Sequence, residues 1–200
     1  MTRLLLLGHA YPLTGTGGPA AADPLLAALA VCPAVWADVV TSASTPVGYT
    51  TERLTERITL YQVPAASAPR GPVSQWDELR YAWHSLRLCQ LLLDRRRYDL
   101  SFAWPDWPAG GVSLLLKRQH GLPYLALVAA DLAAEPARRR LWLDPLRQAV
   151  WREAAALTTL SPPDAPLNWP AVARRCLQLC QPAAPARSRP PETGRLSEDS

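Results

Sequence analysis

"YDLSFAWPDWPAGGVSLLLKRQHGLPYLALVAADL", residues Tyr98–Leu132, is the stretch on which the fold turns. Leu100–Trp104 ("LSFAW") and Tyr124–Ala130 ("YLALVAA") are short apolar runs of strand length. Between them "GGVSLLLKRQHG" has the spacing of a helix, and Gly121 stands where a helix end often needs a left-handed residue. A strand, a helix and a second strand in that order form a crossover unit, which makes the two strands parallel. The connection "PDWPAGG" (Pro105–Gly111) carries two prolines, a tryptophan and paired glycines. A packed core has no need of such loop chemistry, so this loop is expected on a ligand-facing edge.

The same alternation extends in both directions. Arg3–Gly8 ("RLLLLG") is a continuous apolar run, as expected for a strand buried on both faces. Pro19–Val31 reads as a helix, with Pro24 as its alternative start. Trp36–Ser42 and Ile58–Pro64 read as the second and third strands, and residues 43–57 as an exposed loop or a short helix around Glu52–Arg57. Ser74–Arg97 is a long helix whose predicted buried stripe is Leu79, Ala82, Trp83, Leu86, Cys89 and Leu93. Arg147–Ala155 ends a further helix, Ala156–Ser161 is the sixth strand, and residues 167–180 form the last helix. The expected fold is α/β, a Rossmann-like parallel sheet of about six strands flanked by helices. It occupies residues 1–180, followed by a disordered, proline-rich tail at 181–200.

Composition narrows the function. The chain has 200 residues, 48% hydrophobic, with a formal net charge of +4. That charge is too mild to indicate a nucleic-acid partner, and none is expected. The triplets Arg95–Arg97 and Arg138–Arg140 suit helix ends, and they also allow weak attraction to an anionic membrane surface. Cys32, Cys89, Cys176 and Cys180 show no CxxC pair and no histidine at ligand spacing, so no metal is expected. The apolar run near the N-terminus is too short for a signal segment or a membrane span. A cytoplasmic location follows as the expectation, with peripheral contact at the inner membrane face left open.

In such sheets ligands bind beyond the carboxyl ends of the strands, near the point where strand order reverses. This rule puts "GHAYPLTGTGGP", "WPDWPAGG", the segment after Val128 and "SPPD" on one rim. "GTGGPA" at 15–20 also fits the dinucleotide fingerprint G-x-G-x-x-A, but weakly. It begins seven residues after the strand end, and no acidic residue follows the second strand. Ser161 lacks the glycines of a nucleophile elbow.

Taken in order, "LLLLGHAYPLTGTGG", "ADVVTS", "ITLYQVP", "YDLSFAWPDWPAGGVSLLLKRQHGLPY" and "REAAALTTLSP" resemble the N-terminal, acceptor-side half of family-4-like glycosyltransferases of the GT-B fold. The likeness covers roughly residues 3–162. It implies retaining hexosyl transfer from a nucleotide-sugar, as co-substrate and without a cofactor, in polysaccharide or glycolipid synthesis. It also implies a partner: the donor-binding half of the GT-B pair, or a homologous subunit. That half is missing here, with its hinge and its two glutamates, so the chain is expected to be inactive alone, as a truncated or split enzyme. The alternative is a non-catalytic GT-B-like binding or scaffold module that has lost the chemistry.

On this resemblance Gly15, Gly17 and Gly18 approach the donor phosphates, where a Cβ would block the backbone; a plain flexible turn is the other reading. His9, at the exit of the first strand, is either a substrate contact or a satisfied strand-end histidine. Trp104, Asp106 and Trp107 form an acceptor-side set, with rings to stack on a sugar and a carboxylate to bind its hydroxyls. With eight tryptophans and one phenylalanine, the rings can equally be core filling. Asp131 is an acceptor anchor or a helix N-cap. The family's histidine after the fifth strand is absent, Val128 or a neighbour standing in its place. His84 and His120 read as structural.

Overall fold

The protein is described here by a computed structural model, which covers residues 1–8, 24–43, 48–65, 75–104, 107–128, 144–159 and 169–180. Its strands are β1 (Thr2–Gly8), β2 (Val35–Ser42), β3 (Thr50–Arg53), β4 (Ile58–Val63), β5 (Leu100–Trp104), β6 (Tyr124–Val128) and β7 (Ala156–Thr159). The helices are α1 (Pro24–Ala30), α2 (Gln75–Arg95), α3 (Ala109–His120), α4 (Asp144–Glu153) and α5 (Trp169–Cys180). They build one seven-stranded sheet in the order β3-β4-β2-β1-β5-β6-β7. Every pairing is parallel except that of β3 with β4. The expected Rossmann-like architecture is therefore present, with a seventh, antiparallel strand added at one edge.

β1 is the centre, and its sequence shows why. Side chains alternate across a strand, so Leu4 and Leu6 enter the layer under α1 and α5 while Leu5 and Leu7 enter the layer under α2 and α3. All four are at most 4% exposed. Burying one such leucine contributes about 1.5–3 kcal/mol, and neither face can accept a polar residue. In the first layer Leu25, Leu26 and Leu29 of α1 pack with Val172, Ala173 and Cys176 of α5. A smaller cluster joins Leu114 of α3, Tyr124, Ala126 and Val150 of α4. Gly121 closes α3 at φ +71°, its N–H donating to the Lys117 carbonyl, as the sequence requires.

Two expectations fail. Residues 50–53 are a strand, neither loop nor helix. Thr50-Thr51-Glu52-Arg53 is exposed along its whole length, so it carries no apolar alternation that would announce a strand. The stripe of α2 fails in part: Cys89 is buried and Ala82, Leu86 and Leu93 pack against the core, but Leu79 and Trp83 do not. Tyr81, Ser85, Cys89 and Leu92 are its buried residues, whereas Leu79 and Trp83 are 39% and 60% exposed. Tyr81 can be buried because its hydroxyl donates to the Val40 carbonyl at 3.1 Å. The proline-rich segment 181–200 and Arg138–Arg140 lie outside the described residues.

Beneath α2 the sheet carries a buried charge. Asp38 of β2 is 4% exposed, and it accepts hydrogen bonds from Arg96 Nη1 at 2.9 and 3.1 Å. The Tyr98 hydroxyl donates to the same carboxylate. Burial first, then this carboxylate, raises the Tyr98 phenol far above its ordinary range. All four cysteines are free. Burial pushes the Cys176 thiol up to about 12 and, with Asp99 nearby, the Cys180 thiol to about 11, so both act as small apolar groups.

Candidate functional site

The chain goes from β1 through α1 to β2 on one side of the sheet, and later returns through α2 to β5 on the other side of β1. Strand order therefore reverses between β1 and β5, where two crossovers diverge and leave a crevice at the carboxyl ends. The register sets the rim level. Gly8 pairs with Trp104 on one side and with Thr41 on the other. The segments that follow Gly8 and Trp104 thus leave adjacent strands at the same height, and β6 ends at Val128 on the same rim, one strand beyond β5.

Among the sequence-predicted site residues, Trp104 and Trp107 are described. His9, Gly15, Gly17, Gly18, Asp106 and Asp131 lie outside the described residues, as does "SPPD". Trp104 is half-buried and borders a small apolar crevice of about 10 Å³ with Gly8, Leu25, Leu26 and Phe102. This volume is at the limit for a single water, and its lining offers little to hydrogen-bond one. It is the dry floor of the switch point, not a ligand cavity.

Trp107 differs sharply from Trp104. Its ring is 9% exposed, and Nε1–H donates to Glu78 of α2 at 3.1 Å. A Cβ placed on Gly111 would stand 2.5 Å from its Cζ3. Gly111 is needed because the indole lies directly on the helix backbone. The paired glycines therefore seat two separate contacts, since a Cβ on Gly110 would meet Val150 Cγ1 at 2.8 Å. Trp107 thus joins the start of α2 to the start of α3.

One prediction follows from this packing. Gly111→Ala is expected to destabilise the protein by about 1–3 kcal/mol through overpacking, an effect only partly offset by the gain of up to about 1 kcal/mol in helix propensity. Urea unfolding measures it, and in a Trp107→Ala background the same Gly111→Ala change should no longer destabilise. Equal stability of Gly111→Ala and the parent would mean that the indole moves aside freely.

Thr41 is not among the residues that the sequence singles out. Its Oγ1 is buried with no hydrogen-bond partner, on the strand residue paired with Gly8. An orphaned buried hydroxyl at a strand's carboxyl end is a polar group available to a ligand. The available signal was the "TS" that closes "ADVVTS". His84 Nδ1 lies 2.7 Å from the Tyr49 hydroxyl, and burial, then Arg80 and Arg87, lower its pKa. Among the described residues no three His, Cys, Asp or Glu side chains gather as a metal site would require, and no helix is long and apolar enough to cross a membrane.

No protein-family model matches the chain, and no curated protein sequence does. Solved structures do. Sucrose-phosphate synthase from Thermosynechococcus elongatus superposes with a TM-score of 0.59 at 15% identity, over 81% of this chain and 43% of that one. A second structure of that synthase gives 0.54 at 16% identity, over 89% of this chain and 97% of that one. The chain thus spans less than half the length of the longer synthase structure. At such identities the likeness is one of fold.

Proposed function

We propose that this chain is the acceptor-side half of a GT-B-type, family-4-like glycosyltransferase that uses a nucleotide-sugar, and that it needs a donor-binding half to complete the reaction. The observation that carries the reading is the level rim at the β1/β5 switch, where Gly8, Thr41 and Trp104 stand side by side. The fold likeness to sucrose-phosphate synthase supports it, as does the ordered series of motifs from "LLLLGHAYPLTGTGG" to "REAAALTTLSP".

Each residue has a role in this reading. Gly8 ends β1 without a side chain, so the segment after it can pass close to the rim. Gly15, Gly17 and Gly18 bring backbone N–H groups to the donor phosphates, and His9 and the Thr41 hydroxyl add polar contacts. Trp104 offers a ring face to the acceptor sugar, with Asp106 and Asp131 as acceptors for its hydroxyls. Trp107 is a positioning residue that holds this loop through Glu78 and Gly111. Transfer between two bound sugars needs groups on both sides of the cleft to align them and stabilise developing charge. One half supplies only one side.

A specific observation favours a second reading, a binding or scaffold module that keeps the fold without the chemistry. The sequence reads Leu127-Val128-Ala129-Ala130 where the resembling family has a histidine, and none of these four side chains can donate a hydrogen bond to a sugar. One experiment separates the two. The chain is co-purified with a donor-binding half encoded beside it and offered UDP-, GDP- and ADP-sugars, with nucleotide release as the readout. Release that requires both polypeptides is expected from the transferase. A stable pair that releases nothing from any donor would leave the scaffold.

A further inference from the structure

Helix α2 turns an unusual side to solvent. Trp76 and Trp83 are 77% and 60% exposed, and Leu79 and Leu91 are 39% and 56% exposed. At 3.6 residues per turn, positions 76, 79, 83 and 91 fall on one side of the helix, along about 22 Å of its length. Large apolar side chains on a soluble surface are ordinary when scattered, but not when they form a stripe. Arg80 and Arg87 are exposed on the same side, and the Arg87 guanidinium sits over the Trp83 ring at 5.9 Å. Neither of the two ion pairs among the described residues uses Arg80, Arg87 or Arg95. Asp94 is the exposed carboxylate on this side and offsets one of these charges.

Beside the stripe, between α2 and β3, runs a groove of about 500 Å³. Its walls include Arg87, Arg95 and Arg96, the tyrosines Tyr49 and Tyr61, and Leu91. Arg96 is a fixed corner, because Asp38 holds its guanidinium from below. Guanidinium and hydroxyl donors above an apolar floor suit a group that is anionic at one end and greasy at the other. Tryptophan, leucine and arginine on one helix face are also the residue types that sit at a lipid–water boundary.

We propose that the outer face of α2 docks on an anionic membrane surface, with an acidic phospholipid headgroup seated in the groove among Arg87, Arg95 and Arg96. The indoles of Trp76 and Trp83 enter the headgroup layer, while the arginines meet lipid phosphates. This docking is independent of sugar transfer. α2 begins at the carboxyl rim, where Glu78 accepts from Trp107 Nε1–H, and runs from there along the flank of the sheet, so Trp76 enters the headgroup layer beside the rim.

Sedimentation of the full chain with vesicles tests this. Binding is expected to vesicles that contain one-third phosphatidylglycerol and not to pure phosphatidylcholine, with release near 1 M salt, where the screening length is about 3 Å. Replacing Arg80, Arg87 and Arg95 together by glutamine should weaken binding roughly hundredfold, since each basic side chain near such a surface contributes about fivefold. Trp76→Ser with Trp83→Ser should weaken it at least tenfold. All five positions are exposed, and unchanged thermal unfolding of the variants would show that the fold is intact. Equal binding to both vesicle types, or full binding by either variant, would overturn the proposal. So would protection by glycerol 1-phosphate in solution without vesicle binding, which marks a soluble anion site. A dimer broken by the tryptophan substitutions, again without vesicle binding, would assign the face to a second copy of the chain.

Discussion

Asp38→Ala is expected to lower the unfolding free energy by about 2–4 kcal/mol, and Tyr98→Phe added to that variant is expected to restore about 1 kcal/mol. Asp38 lies on a central strand, 4% exposed, with every partner supplied from outside its own strand. Removing it leaves the hydroxyl of the buried Tyr98 without an acceptor; such a group costs about 1–3 kcal/mol. The void left by the carboxylate adds to this loss. Arg96 is less affected, because its side chain is 40% exposed and can turn to water. For the same reason Arg96→Ala should cost less than Asp38→Ala, about 1–2 kcal/mol, since solvent screens the exposed partner. Replacing all three, as Asp38→Val, Arg96→Met and Tyr98→Phe, should come back close to the parent, as apolar substitutes for buried ionic clusters often do. Urea unfolding of the series supplies the numbers. A loss below about 1 kcal/mol for Asp38→Ala would show that the carboxylate is satisfied by solvent.

That cluster also marks where the sequence stops being legible. "WADVVTS" reads as a strand, but nothing in it says that Asp38 points inward, because its partners are 58 and 60 residues away. The β5–α3–β6 unit and β1 are legible for the opposite reason: unbroken leucine runs and a glycine after a basic helix end are local signals, and each has one stable interpretation. Periodicity gave α2 its length but only part of its buried stripe. Leu79 and Trp83 look more apolar than Tyr81 and Ser85, yet the latter pair is buried, Tyr81 with its hydroxyl donating to the Val40 carbonyl. β3 is silent because it buries no side chain: backbone pairing with β4 and polar contacts such as Thr50 Oγ1 to Gln62 Oε1 hold it. At the candidate site the rim could be deduced from topology. The difference between two tryptophans three residues apart could not, because it depends on Glu78, from another helix, and on the absence of a Cβ at Gly111.

This difference yields the second large effect. On the function proposed above, with a donor-binding half supplied, Trp104→Ala is expected to reduce nucleotide-sugar turnover roughly hundredfold, whereas Trp107→Phe should reduce it by less than about threefold, on the basis that each ~1.4 kcal/mol is a factor of ten. Trp104 borders the switch-point crevice with Leu25, Leu26 and Phe102, packs against the core cluster that contains them and remains half-buried at the end of its strand. Truncation there removes both the ring offered to a sugar and the cover over the apolar floor. Trp107 gives its ring to Gly111 and its N–H to Glu78. Phenylalanine keeps the first contact and forfeits one hydrogen bond of about 1.5–3 kcal/mol to a charged acceptor, a loss of stability and not of substrate contact. The two are distinguished by splitting the kinetics: Trp104→Phe, which preserves a ring face, should recover most of the turnover by restoring the acceptor KM. Loss of activity equal in Trp104→Phe and Trp104→Ala would mean that the indole serves packing alone. In that case the acceptor must bind further along the rim, towards the segment that follows Val128.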